Sequence, residues 1–239
     1  MSKIIESGNG SLLTTVHNAN PVSRRNFLGY AGGAAAVAMA FAACDKNDDD
    51  DDDNGINLGS GDVGILNYAY ALEQLEAAFY TQVLLTPYSG IQTAESNLLK
   101  DIRDHEIAHR EFFKAALGSN AIMGLTPTWG ALNFSSRDEV LATAKAFEDL
   151  GVAAYNGAGV RIQDAKYLVV AGQIVSVEAR HAAAVRDMIS NGSFSDLADL
   201  ANSGLGANVA GGLDGALTPD KVLGIAGKYI KTQINVINL

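Results

Sequence analysis

Residues 71–80, ALEQLEAAFY, align without a gap with residues 146–155, AFEDLGVAAY. Each stretch has a glutamate at its third position and a tyrosine at its tenth. A second pair follows the same order along the chain, because residues 106–109, EIAH, resemble residues 178–181, EARH. The four segments therefore indicate a helical hairpin that occurs twice.

Apolar residues recur around these segments at spacings of three and four, which predicts four long helices separated by turns that contain Pro, Gly or Asn. A longer connection over 118–135 joins the second helix to the third. This pattern is typical of an all-α antiparallel four-helix bundle with one long crossover. Thr218-Pro219-Asp220 predicts the start of one further short helix, which ends near Lys231. The four long helices are predicted over 62–86, 91–117, 136–159 and 162–190.

The inward-facing residues of each predicted helix, taken at steps of three and four, form its seam. The middle of each seam carries carboxylates or imidazoles, which an ordinary bundle keeps on its surface. Residues three apart share a helix face, so each Glu-x-x-His pair directs an oxygen and a nitrogen ligand into the same space. Two divalent cations would cancel the charge of four buried carboxylates, which are costly to bury alone. The predicted metal ligands are Glu73, Glu106, His109, Glu148, Glu178 and His181.

This arrangement resembles the ferritin-like di-metal carboxylate proteins, and the resemblance covers residues 62–190. Within that superfamily the chain is most similar to bacterial ferritin-like domain proteins that carry export signals and mostly lack an assigned reaction. The resemblance implies two iron ions as cofactor, with manganese as the alternative, and oxygen or hydrogen peroxide as the small oxidant.

Three further side chains near the seam are interpreted individually. Tyr80 and Tyr155 are either ordinary bundle filling or catalytic residues, as hydrogen-bond donors to the ligands or as one-electron donors beside the metals. His105 is expected to point away from the seam into solvent or to cap the helix.

Glu76 is the main departure from the repeat, because Gly151 occupies the corresponding position. Glu76 faces the seam one turn after Glu73, which is taken as a bridging type of ligand. A glutamate placed in this way resembles the additional ligand of rubrerythrins, which accompanies peroxide reduction. Otherwise Glu76 is protonated or lines a path by which ions reach the site.

The N-terminal residues indicate an exported protein. Residues 23–28, SRRNFL, and the uncharged stretch that follows resemble a twin-arginine export signal over 1–43. Cys44 ends a tetrapeptide similar to a lipobox, which predicts lipidation of Cys44 and a membrane-anchored lipoprotein of the cell envelope, on the periplasmic face or at the cell surface. The acidic segment over 44–61 is expected to be a disordered tether.

Composition excludes several classes of function. The net charge of −10 argues against a nucleic-acid partner, and the single cysteine excludes an internal disulfide framework, a zinc ribbon and an iron–sulfur cluster held by this chain alone. An electron donor, if the reaction uses one, must therefore be another molecule. A cage is disfavoured, and a homo-oligomer is left open.

The leading hypothesis is an exported di-iron protein that oxidises Fe²⁺ or reduces peroxide or oxygen. The alternative is a non-enzymatic envelope lipoprotein whose metals are structural or absent. A third hypothesis, an oxygenase for an apolar substrate, needs a cavity beside the metals, which Gly151, Ala144 and Ala158 could leave. Residues 191–239 are assigned to a C-terminal extension.

Overall fold

The computed structural model describes residues 55–235 and Leu239. The predicted export signal over 1–43, the predicted lipidation site Cys44 and the aspartate run over 48–53 lie outside the described residues. The described residues comprise the predicted bundle and nearly all of the C-terminal extension.

Four long helices form the body of the protein: α1 Gly61–Leu85, α2 Thr93–Leu117, α3 Arg137–Gly159 and α4 Ala165–Ile189. Helices α1 and α2 pack together as the first hairpin, and α3 and α4 pack together as the second. The hairpins meet where α1 contacts α3 and α2 contacts α4. Short turns within each hairpin make its helices antiparallel, and a long crossover joins α2 to α3. The predicted four-helix bundle is therefore confirmed.

Capping residues set the helix boundaries. The side chains of Ser136 and Asp164 accept hydrogen bonds from the backbone N–H groups of Glu139 and Lys166, at 3.4 and 2.8 Å, directly before α3 and α4 begin. Helix α2 ends at Leu117, directly before Gly118, whose φ of 56° falls in the region that favours glycine. The start of α4 lies three residues after the predicted one because Asp164 is its N-cap.

Helices α1 and α3 are buried over most of their surface, whereas α2 and α4 each leave a wide face in solvent. Aromatic residues from the crossover cover α1, since the rings of Trp129 and Phe134 lie 5.8 and 6.1 Å from that of Phe79. Tyr229 of the C-terminal extension covers α3, with its ring 4.8 Å from that of Phe147. These layers keep water from the centre of the bundle.

The segment directly before α1 belongs to the fold, which corrects the end of the tether expected over 44–61. Strand β1 Ile56–Asn57 pairs in parallel with β2 Ile234–Asn235 near the other end of the chain. Leu58 is 1% exposed and lies in the main hydrophobic core. Ile56, which pairs with the distant strand, is thus half-buried, and Leu58, directly after the paired residues Ile56–Asn57, is buried.

The C-terminal extension contains the predicted short helix as α6 Pro219–Ala226, followed by a 3₁₀ turn over Gly227–Tyr229. It also contains α5 Leu197–Asn202, which the sequence did not predict; Asp196 caps it by accepting hydrogen bonds from two backbone N–H groups. The extension docks closely on α3, where Leu217 N–H donates to the Ala153 carbonyl at 3.0 Å. A Cβ at Gly157 would lie 1.7 Å from the Leu217 carbonyl oxygen, so this contact requires glycine.

Among the described residues, α4 is the helix long and apolar enough to cross a membrane, with a mean hydropathy of 1.2 over its most apolar window. Length and composition alone support that reading. Helix α4 also packs along α3 and buries Glu178 and His181 inside the bundle, which identifies it as a bundle helix.

Candidate metal centre

All six predicted metal ligands meet in the middle of the bundle. The four glutamates are fully buried, His181 is 4% exposed, and the His109 side chain is 13% exposed. Helices α1 and α3 each supply one glutamate, whereas α2 and α4 each supply a Glu-x-x-His pair. The ligand-type atoms form two groups, and within each group every such atom lies within 4.8 Å of every other. The first ligand group contains Glu73, Glu106, His109 and Glu178, and the second contains Glu106, Glu148, Glu178 and His181.

The two groups have matching geometry. In the first, His109 Nδ1 lies 3.0 Å from Glu178 Oε1, 3.4 Å from Glu73 Oε2 and 3.6 Å from Glu106 Oε2. In the second, His181 Nδ1 lies 2.8 Å from Glu106 Oε1, 3.4 Å from Glu148 Oε2 and 3.7 Å from Glu178 Oε2. Each histidine thus lies nearest the glutamate of the opposite Glu-x-x-His pair.

Glu106 and Glu178 are the carboxylates that the two groups share. Each turns one oxygen toward His109 and the other toward His181. Glu73 belongs to the first group only. The structure therefore corrects the description of Glu73 as a bridging type of ligand, because its second oxygen is engaged by a tyrosine instead.

Eight buried ligand-type atoms in these groups have no hydrogen-bond partner within the part of the chain that the structure describes. Buried polar atoms without partners are rare, because each pays its full desolvation cost. These eight atoms are six carboxylate oxygens and two imidazole nitrogens, which divide into three oxygens and one nitrogen for each group. That donor set suits divalent first-row transition metals, so the residues fit two such cations. The atoms are Glu73 Oε2, Glu106 Oε1 and Oε2, His109 Nδ1, Glu148 Oε2, Glu178 Oε1 and Oε2, and His181 Nδ1.

The charges of the site lead to the same conclusion. Burial raises the pKa of Glu106, and the neighbouring Glu178 carboxylate raises it further. Burial also raises the pKa of Glu148, to about 7. Burial lowers the pKa of both His109 and His181, but the surrounding carboxylates outweigh this effect and raise each to about 12. Without a cation the site must hold protons, which a bound metal would replace.

Two tyrosines hold the unshared carboxylates from across the bundle. Tyr80 of α1 donates a hydrogen bond to Glu148 Oε1 on α3, and Tyr155 of α3 donates one to Glu73 Oε1 on α1. Burial, followed by the nearby carboxylates, raises the pKa of both tyrosines, so both remain hydroxyl donors. Each bond leaves Oε2 of its glutamate directed toward a ligand group.

Glu76 fills space that Gly151 leaves open. Glu76 is 5% exposed, and its Oε1 lies 3.2 Å from the position that a Cβ on residue 151 would occupy. The same position is 3.7 Å from Glu178 Oε2, an atom of the second ligand group. Burial, followed by the surrounding carboxylates, raises the pKa of Glu76 well above its usual range. The exchange of glutamate for glycine in the repeat therefore puts one extra carboxyl group beside the second ligand group.

His105 is the neighbour of the site that sequence reasoning missed. Its Nδ1 lies 2.8 Å from His181 Nε2, and the two rings stack with centroids 5.1 Å apart. His105 is exposed, as the sequence predicted, but its ring also contacts His181, which the sequence did not predict. His105 lies one residue before Glu106 and therefore off the seam. The one sequence signal for its place near the site is its four-residue spacing from His109, because residues four apart share a helix face.

Comparison with known families agrees with this geometry. The model of the ferritin-like domain family matches residues 61–191, more than half of the chain. The chain belongs to the ferritin-like domain family. A search of curated proteins found no match. The family match covers all four long helices of this ferritin-like domain and every residue of both ligand groups.

Proposed function

We propose that this ferritin-like domain holds two iron ions and either oxidises Fe²⁺ or reduces hydrogen peroxide or oxygen. The eight partnerless ligand atoms, arranged as two equivalent groups that share two carboxylates, carry the proposal. Iron bound there would supply one-electron chemistry toward a small oxidant.

The protein side of the mechanism rests on fixed ligands in a dry core. Glu106 and Glu178 would each serve both ions, since each presents one oxygen to each group. Tyr80 and Tyr155 orient the unshared carboxylates, and their hydroxyls can hold a proton at Oε1 of the glutamates that they contact. Water does not reach the four glutamates, which are all fully buried. Their charges therefore act on a bound ion without screening by solvent.

Glu76 is the residue that we assign to proton delivery. Its carboxyl group lies beside the second ligand group and is held in its protonated form by burial. It can therefore give a proton to a small oxidant bound at that side, or become an additional ligand after losing that proton. The first hairpin supplies this group, and the second has only Gly151 at the corresponding position.

Manganese is the alternative metal, because three carboxylate oxygens and one imidazole nitrogen also suit Mn²⁺. The full-length protein, purified in detergent and stripped of metal, should bind two ions per chain from Fe²⁺ or Mn²⁺ solutions. Elemental analysis and anomalous scattering measure the number and identity of the ions in protein isolated from its native host. Iron in that sample supports the proposal, and manganese redirects it to the alternative.

Turnover is tested by mixing the metal-loaded protein with Fe²⁺ or with peroxide and following the loss of each reactant with time. The double variant His109→Ala/His181→Ala should lose metal and turnover while keeping its helicity. The matched control is Glu111→Gln on α2, whose side chain is half exposed and away from both ligand groups. Stable metal binding without turnover would point to structural metals, and no metal binding with an unchanged melting temperature would overturn the di-metal proposal.

We also propose that the protein is exported through a twin-arginine signal and anchored to the cell envelope by a lipid on Cys44. The support is sequence alone: residues 23–28, the uncharged stretch up to Ala43, and the acidic residues after Cys44. Export in a folded state would allow the metals to be loaded before secretion.

Mass spectrometry of the membrane fraction tests this location. The mature chain should begin at a lipid-modified Cys44, and Cys44→Ser should release the protein from the membrane. Replacing Arg24 and Arg25 by lysine should keep it in the cytoplasm. An unprocessed, soluble wild-type chain would contradict the proposal.

A further inference from the structure

A line of aromatic rings connects the candidate metal centre to the surface. It starts at Tyr80, whose hydroxyl is bonded to Glu148 of the second ligand group. The centre of the Tyr80 ring lies 5.2 Å from that of Phe79, which in turn lies 5.8 Å from that of Trp129. Tyr80 and Phe79 are fully buried, whereas Trp129 is only half-buried. These three residues form an aromatic path in which one ring separates the tyrosine beside the ligands from a tryptophan at the surface.

A second branch leads from Phe79 to the same part of the surface. The Phe147 ring lies 5.0 Å from that of Phe79, and the half-buried ring of Tyr229 lies 4.8 Å from that of Phe147. Trp129 and Tyr229 line one shallow surface groove, which offers about 390 Å³ of space. A cavity of about 150 Å³ already holds a benzene molecule, so the surface groove has room for a small aromatic ligand.

The surface groove combines aromatic walls with hydrogen-bonding groups. Thr143 contributes a hydroxyl, and Glu139 contributes a carboxylate, one oxygen of which accepts from the Asn133 N–H. Lys228 contributes a positive charge, and its Nζ lies 4.9 Å from the centre of the Tyr229 ring. Because the charges of Glu139 and Lys228 balance, the lining suits a neutral molecule. A flat ring would pack against the aromatic walls, and hydroxyl groups on that ring would donate to the Glu139 carboxylate.

We propose that the surface groove binds a hydroquinone, a neutral benzene ring with two hydroxyl groups, and that Trp129 and Tyr80 pass its electrons to the metal centre. Tryptophan and tyrosine lose an electron far more readily than phenylalanine, so Phe79 acts as the packed medium between them. Trp129 is the nearer surface end, because two rings separate Tyr229 from Tyr80. Binding needs no metal, whereas the electron transfer rests on the proposed di-metal function.

The transfer balances with hydrogen peroxide as the oxidant. Hydroquinone loses two electrons and two protons and becomes a quinone. The electrons pass one at a time through Trp129 and Tyr80, and the protons leave the surface groove through Glu139 to water. At the metal centre the O–O bond of peroxide breaks. Two electrons and two protons from solvent then complete two water molecules.

Binding is measured on the metal-free, full-length protein without oxygen. Trp129 is the single tryptophan of the chain, so its fluorescence reports directly on the surface groove. Hydroquinone should quench this fluorescence saturably, with one site per chain by calorimetry. Cyclohexanediol keeps both hydroxyls but lacks the aromatic ring, and should bind about tenfold more weakly or less. Equal binding of the two molecules, or no saturable site, would overturn the proposal.

Thr143→Val tests the position of the ligand, because it keeps the shape of the surface groove and removes one hydroxyl. The affinity for hydroquinone should fall by about two- to tenfold, the usual effect of one hydrogen bond. Glu111→Gln, on the exposed face of α2, is the control and should leave the affinity unchanged. An unchanged affinity in Thr143→Val would contradict the assigned site.

Trp129→Phe tests the electron path, because phenylalanine keeps a ring against Phe79 but is much harder to oxidise. In the iron-loaded variant, quinone formation with peroxide should fall about tenfold or more, while calorimetry should show hydroquinone binding within about twofold of the wild type. Tyr70→Phe, at a buried tyrosine outside the aromatic path, should leave both unchanged. Circular dichroism verifies folding. An unchanged rate of quinone formation in Trp129→Phe would refute the aromatic path.

A spectroscopic readout does not depend on any variant. Peroxide added to the iron-loaded wild type without hydroquinone should leave a tryptophan radical, which electron paramagnetic resonance identifies when the indole is deuterated. The absence of this radical would also refute the aromatic path.

The binding site and the di-metal function fail separately. A protein that binds hydroquinone but takes up no metal would refute the di-metal function and leave the binding site standing. A protein that takes up two metals and consumes peroxide but does not bind hydroquinone would refute the surface-groove proposal alone.

Discussion

The two helical hairpins provide the same ligands to the candidate metal centre but surround it with different residues. The ligand geometry repeats closely, since the shortest histidine–glutamate distances are 3.0 Å in the first ligand group and 2.8 Å in the second. Each hairpin also sends one tyrosine across to the unshared glutamate of the other. The core of the site is therefore close to twofold symmetric.

The surroundings break that symmetry at three pairs of corresponding positions. The first hairpin has Glu76, Phe79 and His105 where the second has Gly151, Ala154 and Val177. The additional carboxyl and the additional histidine both lie beside the second ligand group. Under the proposed function, metal binding would therefore depend on the repeated residues, and any difference between the two ligand groups would depend on the unrepeated ones.

The largest expected effect distinguishes shared from unshared carboxylates. Glu178→Ala removes an oxygen from both ligand groups, so the bound metal should fall from two ions per chain to none. Glu73→Ala removes an oxygen from the first group only and should leave one ion per chain. Elemental analysis after dialysis measures both values, and equal losses in the two variants would refute the assignment of Glu178 as shared.

Phe79→Ala would give the first hairpin the small residue that the second already has. Phe79 is fully buried against Trp129 and Phe147, so we expect a loss of about 3–5 kcal/mol in the free energy of unfolding. Phe194→Ala, at a ring that is 58% exposed, is the control and should change it by less than about 0.5 kcal/mol. Denaturant unfolding measures both, and a small effect of Phe79→Ala would mean that the first hairpin is not tightly filled.

His105→Ala removes the hydrogen-bonding partner of His181. His109 has no such partner, because Val177 stands at the position of the second hairpin that corresponds to His105. Losing such a partner typically costs about 10–100-fold in metal affinity, and here the loss should fall on one of the two ions. Competition with a chelator measures the two affinities separately. Asp104→Ala, at the exposed neighbouring residue, should change neither. An equal loss at both sites would contradict a one-sided role for His105.

The smallest expected effect is on pH dependence. A metal must displace protons from both histidines, whose pKa values are raised to about 12, so affinity should fall as pH decreases. Below about pH 7 the Glu148 carboxyl binds a further proton. Metal affinity at the second ligand group should then fall by up to about tenfold more for each pH unit. Glu148→Gln should remove the additional steepness in chelator titrations between pH 6 and 8. The same slope in this variant would show that another group titrates there.

The metal centre could be predicted from the sequence because its ligands follow the local periodicity of the helices. The three-residue spacing of Glu106 and His109 places both on one helix face whatever surrounds the helix, and the repeat placed Glu73 and Glu148 at the same level. The same reasoning did not find the contact between His105 and His181, because that contact depends on a residue 76 positions away. It also extended the tether too far, because Ile56 pairs with Ile234 and packs against the main core, both of which involve residues far along the chain.

The sequence by itself determined the four helices, the repeat and the six residues that converge, because helix formation and side-chain direction follow from spacings of three and four residues. Only the tertiary structure decided that Glu106 and Glu178 are the shared carboxylates, that Glu76 occupies the space beside Gly151, and that Trp129 and Tyr229 line one surface groove. These features depend on how far each helix is rotated and how closely it approaches its neighbours. Such distances are set by the volumes of residues that are far apart in the chain, which no local pattern records.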